Sequence, residues 1–276
     1  MRKLWIAALA LAALLTVAGV ALAANQYKVT PVGTSTNAKG SLTKPVPTSL
    51  TFGFKVTDTQ GLRPFVIDQY RIAAEGIETY PKSRPRCTFN QATDPNVVDP
   101  ANISAACRRA KIGSGTIHND AGAPNDRTQK LTCDVKITTF NISTGDPRFP
   151  STVPQIRKRG GLAIRIDTYQ PEGSRCPIPV HEALAAPFYD VKIQGIKSFE
   201  LRFHTPSTLK HPGGLDNSLV TTVAKELKKT GKAKVKGGAR RTVGYFSAVG
   251  RKGRTRTIRV TFIDESGDKQ TATAQD

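Results

Sequence analysis

A period of two runs through this chain. Leu50, Phe52, Phe54 and Val56 are separated by Thr51, Gly53 and Lys55, so an extended segment here has one apolar face. The spacing returns at Leu131, Cys133, Val135 and Ile137, and at Leu162, Ile164 and Ile166. It returns again at Phe199, Leu201 and Phe203, and at Ile258, Val260 and Phe262. Val66, Tyr70 and Ile72 sit among β-forming residues between positions 63 and 73, and residues 189–193 make a further short strand. Proline, glycine and aspartate interrupt the chain at residues 80–85, 120–126, 144–150, 171–179 and 205–216. With 23 glycines and 18 prolines in 276 residues, a helix bundle or coiled coil is excluded. The expectation is an all-β fold, a β-sandwich or jelly roll of about ten strands.

Two stretches are ambiguous by pattern. Residues 101–110 are long enough for one helical turn. Residues 219–229 read two ways. Leu219, Val220, Val223, Ala224 and Leu227 share a helix face with Asn217 as a cap, giving a short helix. Val220, Thr221, Thr222 and Val223 are all β-branched, which favours a strand.

The N-terminus reads as an export signal. Arg2 and Lys3 precede an apolar run from Leu4 to Leu15, and Ala21-Leu22-Ala23 is a small-x-small cleavage pattern. Residues 1–23 are therefore expected to be a signal peptide, and residues 24–276 one β-sandwich domain, with 205–216 the best candidate for an internal boundary. The alternative is a membrane anchor over residues 4–24, which carry no charge. Either way the rest of the chain is exported, secreted or held in the cell envelope. Cysteine usage agrees. The four cysteines are Cys87, Cys107, Cys133 and Cys176, an even number in an oxidising compartment. Nearest-neighbour closure favours Cys87–Cys107 and Cys133–Cys176. No tight Cys-x-x-Cys spacing suggests zinc.

Charge is the strongest functional signal. There are 41 Lys+Arg against 21 Asp+Glu, a formal net charge of +20. Residues 225–259 hold 13 basic residues, and Glu226 is the one acid among them. Lys232, Lys234 and Lys236 recur with period two, so an extended backbone would place them on one face roughly 6.6 Å apart. Arg254 and Arg256 repeat the spacing, with Arg240 and Arg241 between the two groups. Such a face would hold an anionic cell-wall polymer or an anionic lipid surface, in a salt-dependent way. Nucleic acid fits less well, because only Tyr245 and Phe246 interleave with the cations.

Catalytic patterns are absent. His181-Glu182-Ala183-Leu184-Ala185 starts like a zinc-protease helix but lacks the second histidine. Gly113-Ser114-Gly115 is too short for a nucleophile elbow, and Gly231-Lys232 has no phosphate-loop context. His204 and His211 flank one loop with Asp216 nearby, a partial metal set. Glu75 with Glu78, and Asp264 with Glu265, are the carboxylate pairs closest in sequence. The reading is a non-catalytic binding or structural module with no cofactor. The alternative is an extracellular jelly-roll carbohydrate-active enzyme or lectin.

Five segments together carry a family resemblance: the Ala-rich leader, the alternating strand at residues 50–56, the run Cys107-Arg-Arg-Ala-Lys-Ile-Gly-Ser-Gly-Thr116, and the closing runs at residues 244–250 and 259–267. They resemble an exported, β-sheet-rich family of uncharacterised bacterial proteins. The resemblance implies a sandwich and no known activity. Members often carry a cysteine where Gly250 and Arg251 stand here. A bacterial source would leave the sequons at Asn102 and Asn141 unused.

Overall fold

The computed structural model describes residues 24–31, 39–94, 105–143, 151–168, 176–250 and 256–275. The leader and Arg254 lie outside the described residues. In chain order the strands are β1 (Asn25–Pro31), β2 (Val46–Thr48), β3 (Leu50–Asp58), β4 (Ile67–Ala74), β5 (Ile77–Thr79), β6 (Lys111–Gly122), β7 (Leu131–Ile142) and β8 (Gly161–Thr168). They continue with β9 (His181–Ile193), β10 (Ile196–His204), β11 (Asp216–Glu226), β12 (Thr230–Lys234), β13 (Arg240–Gly244), β14 (Phe246–Ala248), β15 (Thr257–Asp264) and β16 (Lys269–Gln275). Among the described residues four short helices interrupt them: α1 (Phe89–Ala92), α2 (Ala105–Ala110), α3 (Val153–Arg159) and α4 (Ser207–Lys210).

Eleven strands form one antiparallel sheet in the order β1-β3-β11-β6-β7-β8-β9-β10-β4-β15-β16. The sheet rolls until its two edge strands, β1 and β16, lie side by side, and Tyr27 of β1 stacks on Phe262 of β15 at 4.3 Å between ring centroids. The molecule is thus a nearly closed barrel, not two sheets packed face to face. Alternation is equally compatible with both arrangements. What decides for the barrel is that each inward face meets the others across a shared interior. The break at 205–216 carries α4 and joins β10 to β11, two strands of this one sheet.

Of residues 219–229, the first eight resolve as strand, the end of β11, and 227–229 lie outside any element. Along β11, Thr222, Ala224 and Glu226 are buried, while Val223 and Lys225 are exposed. A helix would have buried Val223, which instead keeps 45% of its surface. The β-branched run fits the pleat between β3 and β6, and a register shift between Leu219 and Thr221 marks a bulge.

One barrel end is plugged by the small sheet β2-β14-β5. Tyr245 and Phe246 descend from it into the interior against Phe188 and Phe199. The other end is covered by α4, and the Cys133–Cys176 disulfide lies near it. A second, smaller core sits outside the wall. Here Phe89, Ile156, Ala163 and Ala183 pack with the Cys87–Cys107 disulfide. This is why β8 is buried on both faces. Both disulfides have the connectivity that nearest-neighbour closure favours. They indicate an oxidising, extracytoplasmic environment. Among the described residues no helix is long and apolar enough to cross a membrane.

Candidate anion-binding groove

Beneath the plugged end lies an open groove of about 660 Å³. Three segments build it. The first is the β12–β13 hairpin, where Lys232 pairs with Thr242 and Lys234 with Arg240 in register. Lys232 Nζ donates to Thr242 Oγ1 at 2.8 Å, steadying that side chain on the hairpin face. Lys236 follows in the turn, its backbone N–H bonded to the Leu42 carbonyl. The second is the 3₁₀ turn Pro81–Ser83, which brings Lys82 and then Arg86 to the groove. The third is α3, with Arg157, Lys158 and Arg159 in its last turn, where cations suit the helix dipole.

Two close approaches hold these segments together. Gly231 lies against the Ser83 carbonyl, and Gly160 (φ 83°) ends α3 against the Pro81 ring. A Cβ at either position would collide. Arg84 reinforces the first contact by donating to the Thr230 carbonyl at 3.1 Å.

The groove's charge is one-sided. Its one carboxylate among the lining residues, Glu78, is buried and already bridged, at 2.5 Å to Arg159 and 2.6 Å to Lys197. Arg159 also reaches Asp190 at 2.7 Å. The remaining lining cations are Lys82, Arg86, Arg157, Lys158, Lys232, Lys234, Lys236 and Arg240. None of these makes an ion pair among the described residues. Tyr80 adds a phenol whose pKa burial pushes up to about 12, so it stays a hydrogen-bond donor at neutral pH.

The sequence-predicted residues divide accordingly. Lys232, Lys234, Lys236 and Arg240 come together on the groove. Arg241 is exposed but pairs with Ala233, on the opposite pleat from Lys234 and Arg240. Arg256 does not belong to the cationic face. It is only 4% exposed, and its guanidinium donates to the carbonyls of Glu75, Gly76 and Gly250 at 2.9–3.0 Å. The alternating spacing around Arg256 is that of a strand start whose inward residue is an arginine tying loops to the plug. Tyr245 and Phe246 are buried, so neither offers a stacking surface for bases.

Lys82, Arg86 and the 157–159 run were missed. The run of three cations was visible, but its convergence with a hairpin some 75 residues later in the chain was not.

The other candidate clusters take structural roles. Glu75 accepts from the Thr257 N–H. Asp264 caps the turn into β16, accepting from the Asp268 N–H. Glu265 pairs with Lys210 and His211, and His211 also meets Asp216. His204 meets Asp68 instead. Among the described residues no three His, Cys, Asp or Glu side chains are grouped to hold a metal. Asn141 is fully buried, donating to backbone carbonyls, and cannot carry a glycan. No protein-family model, curated protein or solved structure matches the chain.

Proposed function

We propose that this protein is an exported, non-catalytic binding module of the cell envelope or extracellular space, holding an anionic polymer in the basic groove. The reading is carried by one observation. Cations from three separate chain segments converge on a single groove whose lone carboxylate is already neutralised. A set of lysines that merely solvated an edge strand would stay on that strand. The groove is open rather than a closed pocket, which admits an extended phosphate- or carboxylate-bearing chain. The two disulfides and the signal-like leader support the exported setting, as does the resemblance to exported bacterial proteins.

The test is binding of the full chain to polyglycerol phosphate and to heparin, read from about 50 to about 500 mM salt. Affinity should fall steeply with salt. Changing Lys232, Lys234 and Lys236 together to Gln should flatten the log–log slope by about 2–3, at roughly 0.7–0.9 per released counterion. Binding that survives high salt, or an unchanged slope in the triple variant, would contradict the reading.

A further inference from the structure

The groove lining stops at Lys232 on the hairpin, but the cations do not. Lys232 and Lys234 share the exposed pleat of β12, with Thr230 at its start and Lys236 just past its end. From Lys236 back to Thr230 the chain covers roughly 20 Å. There one guanidinium joins the hairpin to another part of the chain. Arg84 donates from Nη1 to the Thr230 carbonyl at 3.1 Å and from Nη2 to the Arg109 carbonyl at 3.4 Å. The end of α2 therefore lies within one guanidinium's span of the hairpin base. Arg109 is exposed there, and Lys111 follows it at the start of β6. Lys228 arrives from the other side. The Lys229 N–H bonds back to the Leu227 carbonyl at 2.8 Å, a tight turn with Lys228 at its tip, and the Leu227 N–H bonds to the Ile112 carbonyl at 2.9 Å. Lys228 is exposed. Arg109, Lys111 and Lys228 make no ion pair among the described residues. The acid nearest to Lys228 along the chain, Glu226, is buried and accepts from the Thr139 hydroxyl at 3.0 and 3.2 Å. The Cys87–Cys107 disulfide ties α2 covalently to the segment that carries Lys82, Arg84 and Arg86.

Resting on the reading of the groove as a polyanion site, we infer that the groove is one half of a longer track. It continues across Arg84 onto Arg109, Lys111 and Lys228, and its ligand is a base-free polyol phosphate with three-carbon repeats. A pleated strand repeats its exposed face every two residues, which is six backbone bonds. Phosphates joined by a three-carbon diol are also six bonds apart, so both repeats measure roughly 6.6–7 Å when extended. A polymer laid along β12 keeps step with its cations, and the flexible lysine stems absorb the residual mismatch. Lys232, Lys234 and Lys236 engage three phosphates. Passing Thr230 to reach Arg109 and Lys228 takes about two more. Nucleotides have the same six-bond backbone, but Tyr80, half-buried, is the one ring lining the groove, and Tyr245 and Phe246 are buried. Successive bases would lack the successive rings on which a single strand stacks.

The experiment uses the full chain and rhodamine-labelled oligomers of propane-1,3-diol phosphate with three and with eight phosphates, titrated by fluorescence anisotropy at about 50–300 mM salt. The short oligomer occupies Lys232, Lys234 and Lys236 and stops. The long one continues over the hairpin base, so its log–log salt slope should be steeper by about 1–2, at roughly 0.7–0.9 per added phosphate. Arg109→Gln with Lys228→Gln should remove that excess. It should weaken the long oligomer at least about fivefold at about 100 mM salt and leave the short one within about twofold of its parent value. Both side chains are exposed, and Arg84 bonds the Arg109 backbone, so this variant should keep the parent far-UV spectrum. An eight-phosphate oligomer on hexane-1,6-diol, with phosphates nine bonds apart, places fewer charges in the track, and its salt slope should be lower by about 1. Equal slopes for short and long oligomers, or a double variant that weakens neither or both alike, would overturn the track. A hexanediol slope equal to the propanediol one would overturn the ligand class. So would a thymidine octanucleotide that binds more than about tenfold tighter than the long oligomer. The Lys232, Lys234 and Lys236 triple variant keeps the two readings apart. If it leaves both oligomers bound as before, the groove reading fails. If it weakens both while the double variant weakens neither, the groove stands and the track falls.

Discussion

Glu226 shows how far a single side chain can depart from its sequence context. Among thirteen cations in residues 225–259 it reads as a surface counter-charge. In the strand it takes the inward register with Thr222 and Ala224 and is buried. Its folded pKa is raised from 4.5 to about 7, chiefly by burial. Between those two values the folded state holds a proton that the unfolded chain has released. The contribution of Glu226 to stability should therefore fall as pH rises from about 4.5 to about 7 and be level on either side, by at most roughly 3 kcal/mol. Glu226→Gln should remove this slope and be more stable than the parent at about pH 8, with little difference at about pH 4. Urea midpoints at the two pH values check it.

Arg256 gives the complementary case. Truncation to Ala would take a donor from three carbonyls at once, those of Glu75, Gly76 and Gly250, and of these Gly76 would keep only the Val249 N–H. We expect Arg256→Ala to destabilise by about 3–5 kcal/mol while the folded fraction keeps its affinity for polyanions. A change in affinity at constant stability would instead return Arg256 to the binding face.

At the scale of elements, the legible part was the pleat. Strands whose inner face is apolar and outer face polar, such as β3 and β15, announce themselves. β11 did not, because its inward positions after the bulge are Thr222, Ala224 and Glu226, while Val223 faces out and the buried Leu219 lies before the register shift. β8 was found from half its pattern. Its outer face, with Ala163, Arg165 and Asp167, is buried only because a second core covers it. That outer core depends on a staple closing about 20 residues. In the chain-entropy picture the Cys87–Cys107 bridge stabilises by about 3 kcal/mol. Replacing both cysteines by Ala should lower the Tm by about 6–12 °C for a chain of this size. Because Cys87 directly follows the groove residue Arg86, and α3 packs through Ile156 into the same core, the variant should weaken polyanion binding while leaving the barrel interior intact. Calorimetry, with polyanion binding measured at a temperature where the variant is folded, separates the two effects.

For the whole molecule, closure of the sheet was not legible, since pairing order among strands far apart in sequence leaves no local trace. Only the seam of β1 and β16 shows that the inner faces surround one interior. The charge poses the same question at this scale: a net charge of +20 attracts polyanions wherever its lysines lie. A diffuse field and a groove can be told apart by where charge is removed. Lys28, Lys130 and Lys269 are exposed on β1, in the loop between β6 and β7, and on β16, outside the groove lining. Changing these three to Gln alters the net charge as much as changing Lys232, Lys234 and Lys236. If binding follows the mean field, both triple variants should elute equally early from a polyphosphate resin. If it follows the groove, the control should elute near the parent, because exposed charges more than about 8–10 Å from the bound chain are screened at physiological salt. The groove variant should then elute well before it. Three lysines that are neighbours in space act on the same few phosphates, whereas three scattered ones each act on solvent. Equal elution of the two variants would reduce the groove to its share of the net charge.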